Sequence, residues 1–211
     1  MLDLRTILLF APGFIFGLTF HEVAHGWIAE KFGDPTARQA GRLTLNPMAH
    51  LDPLGTLMLV FAGFGWARPV PVNALNFRNP RRDMLWVALA GPATNLLFAF
   101  ALGLIFQILM RTQFEQQLWG SSILTLVVLM GVQINVILAI FNLIPLPPLD
   151  GSRILAGLLP ESWTSGYEEF ERYGPWALLG LIILGNFAGV PVFQYLINPF
   201  ATPITSFFLG L

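Results

Sequence analysis

The chain contains no cysteine. That excludes thiolate metal sites, disulfides and a cysteine nucleophile. Charge is scarce as well. Only 11% of the 211 residues are Asp, Glu, Lys or Arg, and 55% are hydrophobic. Soluble domains carry about 25% charged residues, so this balance places the chain in the membrane class. The net charge is -1, which leaves no basic surplus to attract nucleic acid. No small-residue cleavage site follows the first apolar run, which is therefore expected to be a retained segment and not a signal peptide. Histidine is nearly absent, with three in the whole chain.

What remains is dominated by long apolar runs. A spanning helix needs about 20 mostly apolar residues. Leu4 to Phe32 supplies one, interrupted by Pro12-Gly13, and Asp83 to Met110 a second. Ser121 to Ile144 and Pro175 to Ile197 supply a third and a fourth. Pro199 to Leu211 is too short to span and is expected at the interface or packed on the bundle. The stretch between the first two runs, Arg38 to Arg82, is rich in Pro, Gly and Asn. Within it "GRLTLNP" and "RPVPVNALNF" alternate as half-buried strands do. Leu54 to Trp66 is apolar but short, and reads as a re-entrant hairpin or a buried strand pair. Such backbone survives at membrane depth only against protein or a watery cavity.

The expected fold class is thus mainly α, a polytopic membrane protein with about four transmembrane helices. A small membrane-associated β-region lies between the first and second. One domain covers 1–211, with helix 4–32, a β or re-entrant region 38–82, and helices 83–110, 121–144 and 175–197. Most basic residues fall between Lys31 and Asp83 or between Leu146 and Gly174. By the positive-inside rule those segments are cytoplasmic and the N-terminus is external.

The first run ends in "TFHEVAHGWIAEKFGD", which puts His21, Glu22 and His25 where lipid is expected. His21 and His25 stack on one helical face and can share a metal ion. Glu22 is turned by about 100°, so it is poorly placed as a third ligand but can reach a water on that ion. This is the H-E-x-x-H arrangement of a zinc peptidase, with two ligands and a general base. Chance produces it in a chain of this composition on the order of 10⁻³ of the time. Ionisable groups inside a span are expensive and mostly functional.

A catalytic zinc takes three protein ligands and keeps one position open. The third ligand must come from elsewhere, with Glu30, Asp34, His50, Asp52 and Asp150 as candidates. Glu30 and Asp34 lie on or just past the same helix, too near to close a tetrahedron well. Asp150 follows the third run in "PLPPLDGSRIL", where the prolines break the helix and can turn the carboxylate back. Taken alone, it reads equally as a helix N-cap. Asp52 before Pro53 reads as a turn carboxylate, and Arg68 as a structural or interfacial charge.

The motifs "HEVAH", "AGRLTLNPMAHLDPLGTL", "RPVPVN", "AGPATN" and "FNLIPLPPLDGSRIL", in this order, resemble the site-2 protease family of intramembrane zinc metalloproteases. The resemblance runs from the first helix to about Leu159. It is to a compact member, without the PDZ or CBS domains that some members carry. It implies that Asp150, in "LDG", is the third zinc ligand beside His21 and His25, with one zinc per chain. It also implies a role for Asn142, as an amide that donates to an oxyanion or holds the substrate backbone. Asn95 in "GPATN" is expected to pack helices or support the ligands, and Gly91-Pro92 to let helices approach closely. His50 is expected near the site without binding zinc.

The implied function is a zinc-dependent endopeptidase that cuts transmembrane segments of membrane proteins. Its partners are transmembrane substrates and the lipid bilayer, with no nucleic acid. Its expected place is a bacterial or archaeal cell membrane, with the site nearer the cytoplasm. A helical substrate must unwind before attack, and either 41–46 or 68–77 is expected to offer an edge for it to pair with. The rival readings are a membrane metal carrier and a non-catalytic scaffold that binds membrane helices. A carrier has no proton to shuttle and no need of Glu22.

Overall fold

The computed structural model describes residues 4–62, 65–111, 123–188 and 192–211. Its frame is three long helices. Helix α1 runs Leu4–Lys31, α4 Pro80–Arg111 and α5 Ile123–Asn142. Short helices α2 (Thr36–Gln39) and α3 (Pro53–Ala62) lie between α1 and α4. After α5 come α6 (Asp150–Leu158), α7 (Thr164–Ala188) and α8 (Val192–Leu209). Among the described residues, three helices are long and apolar enough to cross a membrane: Arg5–Lys31 of α1, α4 and α5. At 1.5 Å per residue, α4 reaches about 48 Å, more than the hydrocarbon thickness of about 30 Å.

The apolar residues of these helices divide between two surroundings. Ala99, Phe106, Val128, Val132, Val136, Ile197 and Ala201 form one buried core where α4, α5 and α8 meet. Leu97, Phe100, Leu104, Ile105 and Ile108 of α4 stay exposed. A helix apolar on every side suits a bundle whose outer face meets lipid.

Helix α1 ends at glycine. Gly33 has φ +104°, a left-handed conformation that L side chains rarely adopt. The Gly33 N–H donates to Glu30 O and the Asp34 N–H to Ala29 O, each at 3.0 Å, which satisfies the last helical carbonyls. The buried Asp34 carboxylate accepts from Asn73 N at 2.7 Å, Asn76 Nδ2 at 2.6 Å, Thr36 N at 3.1 Å and the Thr36 hydroxyl. Burial pushes its pKa up, but these hydrogen bonds outweigh that and hold it below the ordinary value. Asp34 therefore ties the end of α1 to the 73–76 turn.

Three expectations are corrected. Among the described residues no strand forms in 38–82, and one isolated antiparallel bridge pairs Leu51 with Ala67. The alternation of "RPVPVN" comes from its prolines, which donate no hydrogen bond and keep the chain extended without a ladder. Leu54 to Trp66 contains helix α3, so the strand-pair reading fails for 53–62, and Gly63 and Phe64 lie outside the described residues. At about 15 Å, α3 is too short to span. Leu54, Leu57, Met58 and Phe61 on it are exposed.

The third correction concerns the run expected as helix 175–197. Helix covers 164–188 and 192–209, and 189–191 lie outside the described residues, as do Ser121 and Ser122 of the expected helix 121–144. Neither α7 nor α8 is among the candidate spans. Helix α8 nonetheless runs the depth of the bundle. Phe193 meets Phe141, at the end of α5, edge-to-face with centroids 5.6 Å apart. Near the other end Gln107 of α4 donates to Phe208 O at 2.9 Å. The segment 199–211 thus packs on the bundle.

Candidate metal and catalytic centre

The helical spacing of His21 and His25 brings their rings together, and their Nε2 atoms lie 2.9 Å apart. Each ring is fixed from behind. His25 Nδ1 lies 2.7 Å from the Val87 carbonyl, which can only accept, so Nδ1 carries the proton. His21 Nδ1 lies 2.6 Å from Asn95 Oδ1. The Asn95 amide is oriented by its own donations, to Gly17 O at 3.1 Å and Asn135 Oδ1 at 2.9 Å. Asn135 in turn donates to Gly13 O and Gly131 O, both at 2.9 Å. Both Asn side chains are fully buried. This network leaves both Nε2 atoms as lone-pair donors facing one another.

Asp150 closes the group. Its Oδ2 lies 3.1 Å from His21 Nε2 and 3.3 Å from His25 Nε2. The chain gets there through the 143–149 turn, with a cis peptide between Pro147 and Pro148. Helix α6 starts at Asp150, but Leu149 is the N-cap and no side chain caps it. The carboxylate serves the histidines and not the helix end.

These three residues offer ligand atoms within 4.8 Å of one another. Ligands about 2.0–2.1 Å from a tetrahedral zinc lie about 3.3 Å from each other. Asp150 Oδ2 is buried and accepts no hydrogen bond. With both imidazoles neutral, two lone pairs and a carboxylate oxygen converge and repel one another, and a cation between them removes that conflict. The donor set therefore fits zinc.

Gly91 makes room for the rings. A Cβ there would lie 2.6 Å from His21 Cε1, His21 Nε2 and His25 Cε1. The close approach expected of "AGPATN" is thus between the α4 backbone and the imidazoles. Glu22 is buried, and its Oε2 accepts from the Val70 N–H at 2.7 Å. His21, Glu22, Asn95 and Asn142 all line one cavity of about 230 Å³. Phe14, Leu18, Trp66, Leu138, Phe141 and Leu178 give it an apolar wall. Asn142 Nδ2 donates to Leu138 O at 3.0 Å, which uses one of its two amide hydrogens.

The other candidates lie elsewhere. His50 is fully buried and its Nε2 bonds Thr44 O at 2.8 Å, outside the metal-capable group. Asp52 Oδ1 accepts from Gly55 N at 2.7 Å at the start of α3, as a turn carboxylate does. Glu30 pairs with Arg38 at the exposed end of α1. Sequence reasoning missed Asn135, Arg42 and the Val70 N–H. An amide inside an apolar span was signal enough for Asn135. A backbone donor leaves no mark in sequence.

The comparisons point the same way. The model of "Peptidase family M50" matches residues 107–184, which include Asn142 and Asp150 but not the two histidines. The Bacillus subtilis (strain 168) protein named "Putative zinc metalloprotease YwhC" is 44% identical over 181 residues, 84% of this chain and 82% of that protein. A Methanocaldococcus jannaschii protein, "Putative zinc metalloprotease MJ0611", is 29% identical over 171 residues, 80% of this chain and 73% of its own. Mycobacterium tuberculosis (strain H37Rv) "Putative zinc metalloprotease Rip2" is 34% identical over 146 residues, and the chain spans 52% of its length. No solved structure gives a significant match. On the extent of the Bacillus similarity and the family match, the chain belongs to peptidase family M50, the site-2 protease family.

Proposed function

We propose that this protein is a zinc-dependent endopeptidase that cuts transmembrane segments of membrane proteins within the bilayer, near its cytoplasmic side. The observation that carries this reading is the convergence of His21, His25 and Asp150 beside a cavity that His21 and Glu22 line, among helices apolar enough to span. His21, His25 and Asp150 would hold one zinc ion, which supplies an acidified water and a polarised carbonyl when bound. Glu22 takes the proton of the attacking water and delivers it to the leaving amine. Asn142 has an amide hydrogen left over and lines the same cavity, so it assists by donating to the substrate carbonyl or its backbone. The apolar wall from Phe14 to Leu178 suits the side chains of a membrane segment.

The basic residues between Lys31 and Asp83 support a cytoplasmic placement of that loop. The site then sits nearer that side, since His21 and His25 fall late in an inward-running α1. The exposed face of α3 fits contact with lipid.

Co-expression with a set of single-span membrane proteins tests the reading. Wild type is expected to release fragments that Glu22→Gln does not, with zinc retained in both. Fragment release by Glu22→Gln at the wild-type level would rule out this chemistry.

A further inference from the structure

The stretch Arg68 to Val70 is held at nearly every backbone group. The Arg68 N–H donates to His50 O at 2.9 Å. The Arg68 carbonyl accepts from Arg42 Nη2 at 2.7 Å and the Pro69 carbonyl from Arg42 Nη1 at 3.1 Å. The next N–H, that of Val70, donates to Glu22 Oε2. In Pro69–Val70–Pro71, Val70 has the sole backbone donor, because proline has none. Arg68 and Val70 each precede a proline, which biases both to extended conformations. The segment is a stiff spacer that presents one donor.

Arg42 is 8% exposed. A guanidinium is costly to bury and needs a reason to be there. Its fork grips two successive carbonyls of the residues just before the donor. Glu22 Oε1 has no protein partner among the described residues, and Glu22 lines the cavity.

We propose that Arg42 is a positioning residue for the general base. It fixes the Arg68–Val70 backbone so that the Val70 N–H holds one oxygen of Glu22 and leaves the other for water. This rests on the reading of Glu22 as the base. An unrestrained glutamate has several rotamers, and a displacement of about 1 Å can cost about 100-fold in rate.

The test uses the purified full chain in detergent, with a single-span substrate recovered from the co-expression screen. Zinc content, thermal midpoint, kcat and KM are measured for Arg42→Met, Arg42→Lys, Val70→Pro and their combinations. Arg42→Met is expected to keep its zinc and lose about 10–100-fold in kcat, with KM nearly unchanged. Val70→Pro, which deletes the donor, should lose a similar factor, and Val70→Ala should lose less. Arg42→Met with Val70→Pro should lose no more than either alone, since both break one chain of contacts. A structural role for Arg42 would instead lower the midpoint and the zinc content together.

Wild-type kcat in folded, zinc-loaded Arg42→Met overturns the proposal, and so does a double variant whose losses multiply. If Arg42→Met does not fold, Arg42→Lys decides. A lysine lacks the planar fork that holds two carbonyls, so a kcat loss with normal KM supports the proposal and wild-type kcat overturns it. Inactive Glu22→Gln beside fully active Arg42→Lys defeats this inference alone. Active Glu22→Gln, or a screen that yields no substrate, defeats the proteolytic reading and this inference with it.

Discussion

The Nε2 atoms of His21 and His25 face each other across 2.9 Å, while both Nδ1 atoms are taken by groups behind the rings. With both imidazoles neutral, neither Nε2 has a proton for the other. Asp150 Oδ2 lies 3.1 and 3.3 Å from the two Nε2 atoms, so the three could hold a cation between them.

Metal content follows from this arrangement. Purified protein is expected to hold about one zinc per chain, as a three-ligand site does. His21→Ala, His25→Ala and Asp150→Ala should each lower it, measured by elemental analysis. Chelation should lower the thermal midpoint, because a ligand bound to the folded state stabilises it by about 4 kcal/mol at a thousand times its Kd. Full zinc in Asp150→Ala would remove Asp150 from the site.

Asn95 should matter twice. It fixes the His21 tautomer and satisfies Asn135 and Gly17. Losing such a supporting group typically costs about 10–100-fold in metal affinity. Asn95→Leu also leaves buried partners unpaired, at about 1–3 kcal/mol. Competition with a zinc chelator and thermal unfolding in detergent read these two effects separately. Unchanged zinc affinity in folded Asn95→Leu would mean that the amide only packs helices.

Much of the centre was legible because it is local. His21, Glu22 and His25 share one helix, and helical periodicity alone sets their relation. Asp150 was not legible in that way. Its approach depends on the 143–149 turn, and spacing in sequence cannot show where such a turn points. The family resemblance was needed to select it. The β-region was misread because Pro69 and Pro71 imitate the alternation of a pleated strand without its hydrogen bonds. The helix expected at 175–197 has other bounds because Pro199 and Pro203 look like helix breakers. Both lie inside α8, where packing on neighbouring helices makes the lost backbone bonds tolerable.

Gly91→Ala tests how tightly the α4 backbone meets the rings. Its Cβ would intrude to 2.6 Å on both imidazoles. Overpacking of this kind costs about 1–3 kcal/mol, and here the strain falls on the proposed metal ligands. The variant is expected to bind zinc more weakly and cut substrate more slowly, while Gly180→Ala, with nothing within 4 Å of its Cβ, serves as the control. Zinc affinity equal to wild type in Gly91→Ala would show that the rings can move aside.

The last prediction concerns which helix makes the final crossing. The sequence suggested 175–197, yet α8 follows the bundle from the Phe141 end of α5 to the Gln107 end of α4. Its 18 residues reach about 27 Å, at 1.5 Å per residue, close to the hydrocarbon thickness. On α7, Gly174 meets Pro147 and Leu178 lines the cavity. The prediction is that α8 makes a fourth crossing after the candidate spans α1, α4 and α5. A cysteine at Asn79 should label from the cytoplasmic side, and one at Leu211 from the opposite side. The natural chain has no cysteine to confuse the readout. Gln116, the other natural choice for an external label, lies outside the described residues. A cysteine at Ser162, just before α7, should label with Asn79. One at Tyr195, near the start of α8 and exposed, should also react from that side or from neither if lipid covers it. Labelling of Tyr195→Cys together with Leu211→Cys would return the crossing to 175–197. Labelling of Leu211→Cys together with Asn79→Cys would leave α8 short of the far side and reduce the chain to three crossings.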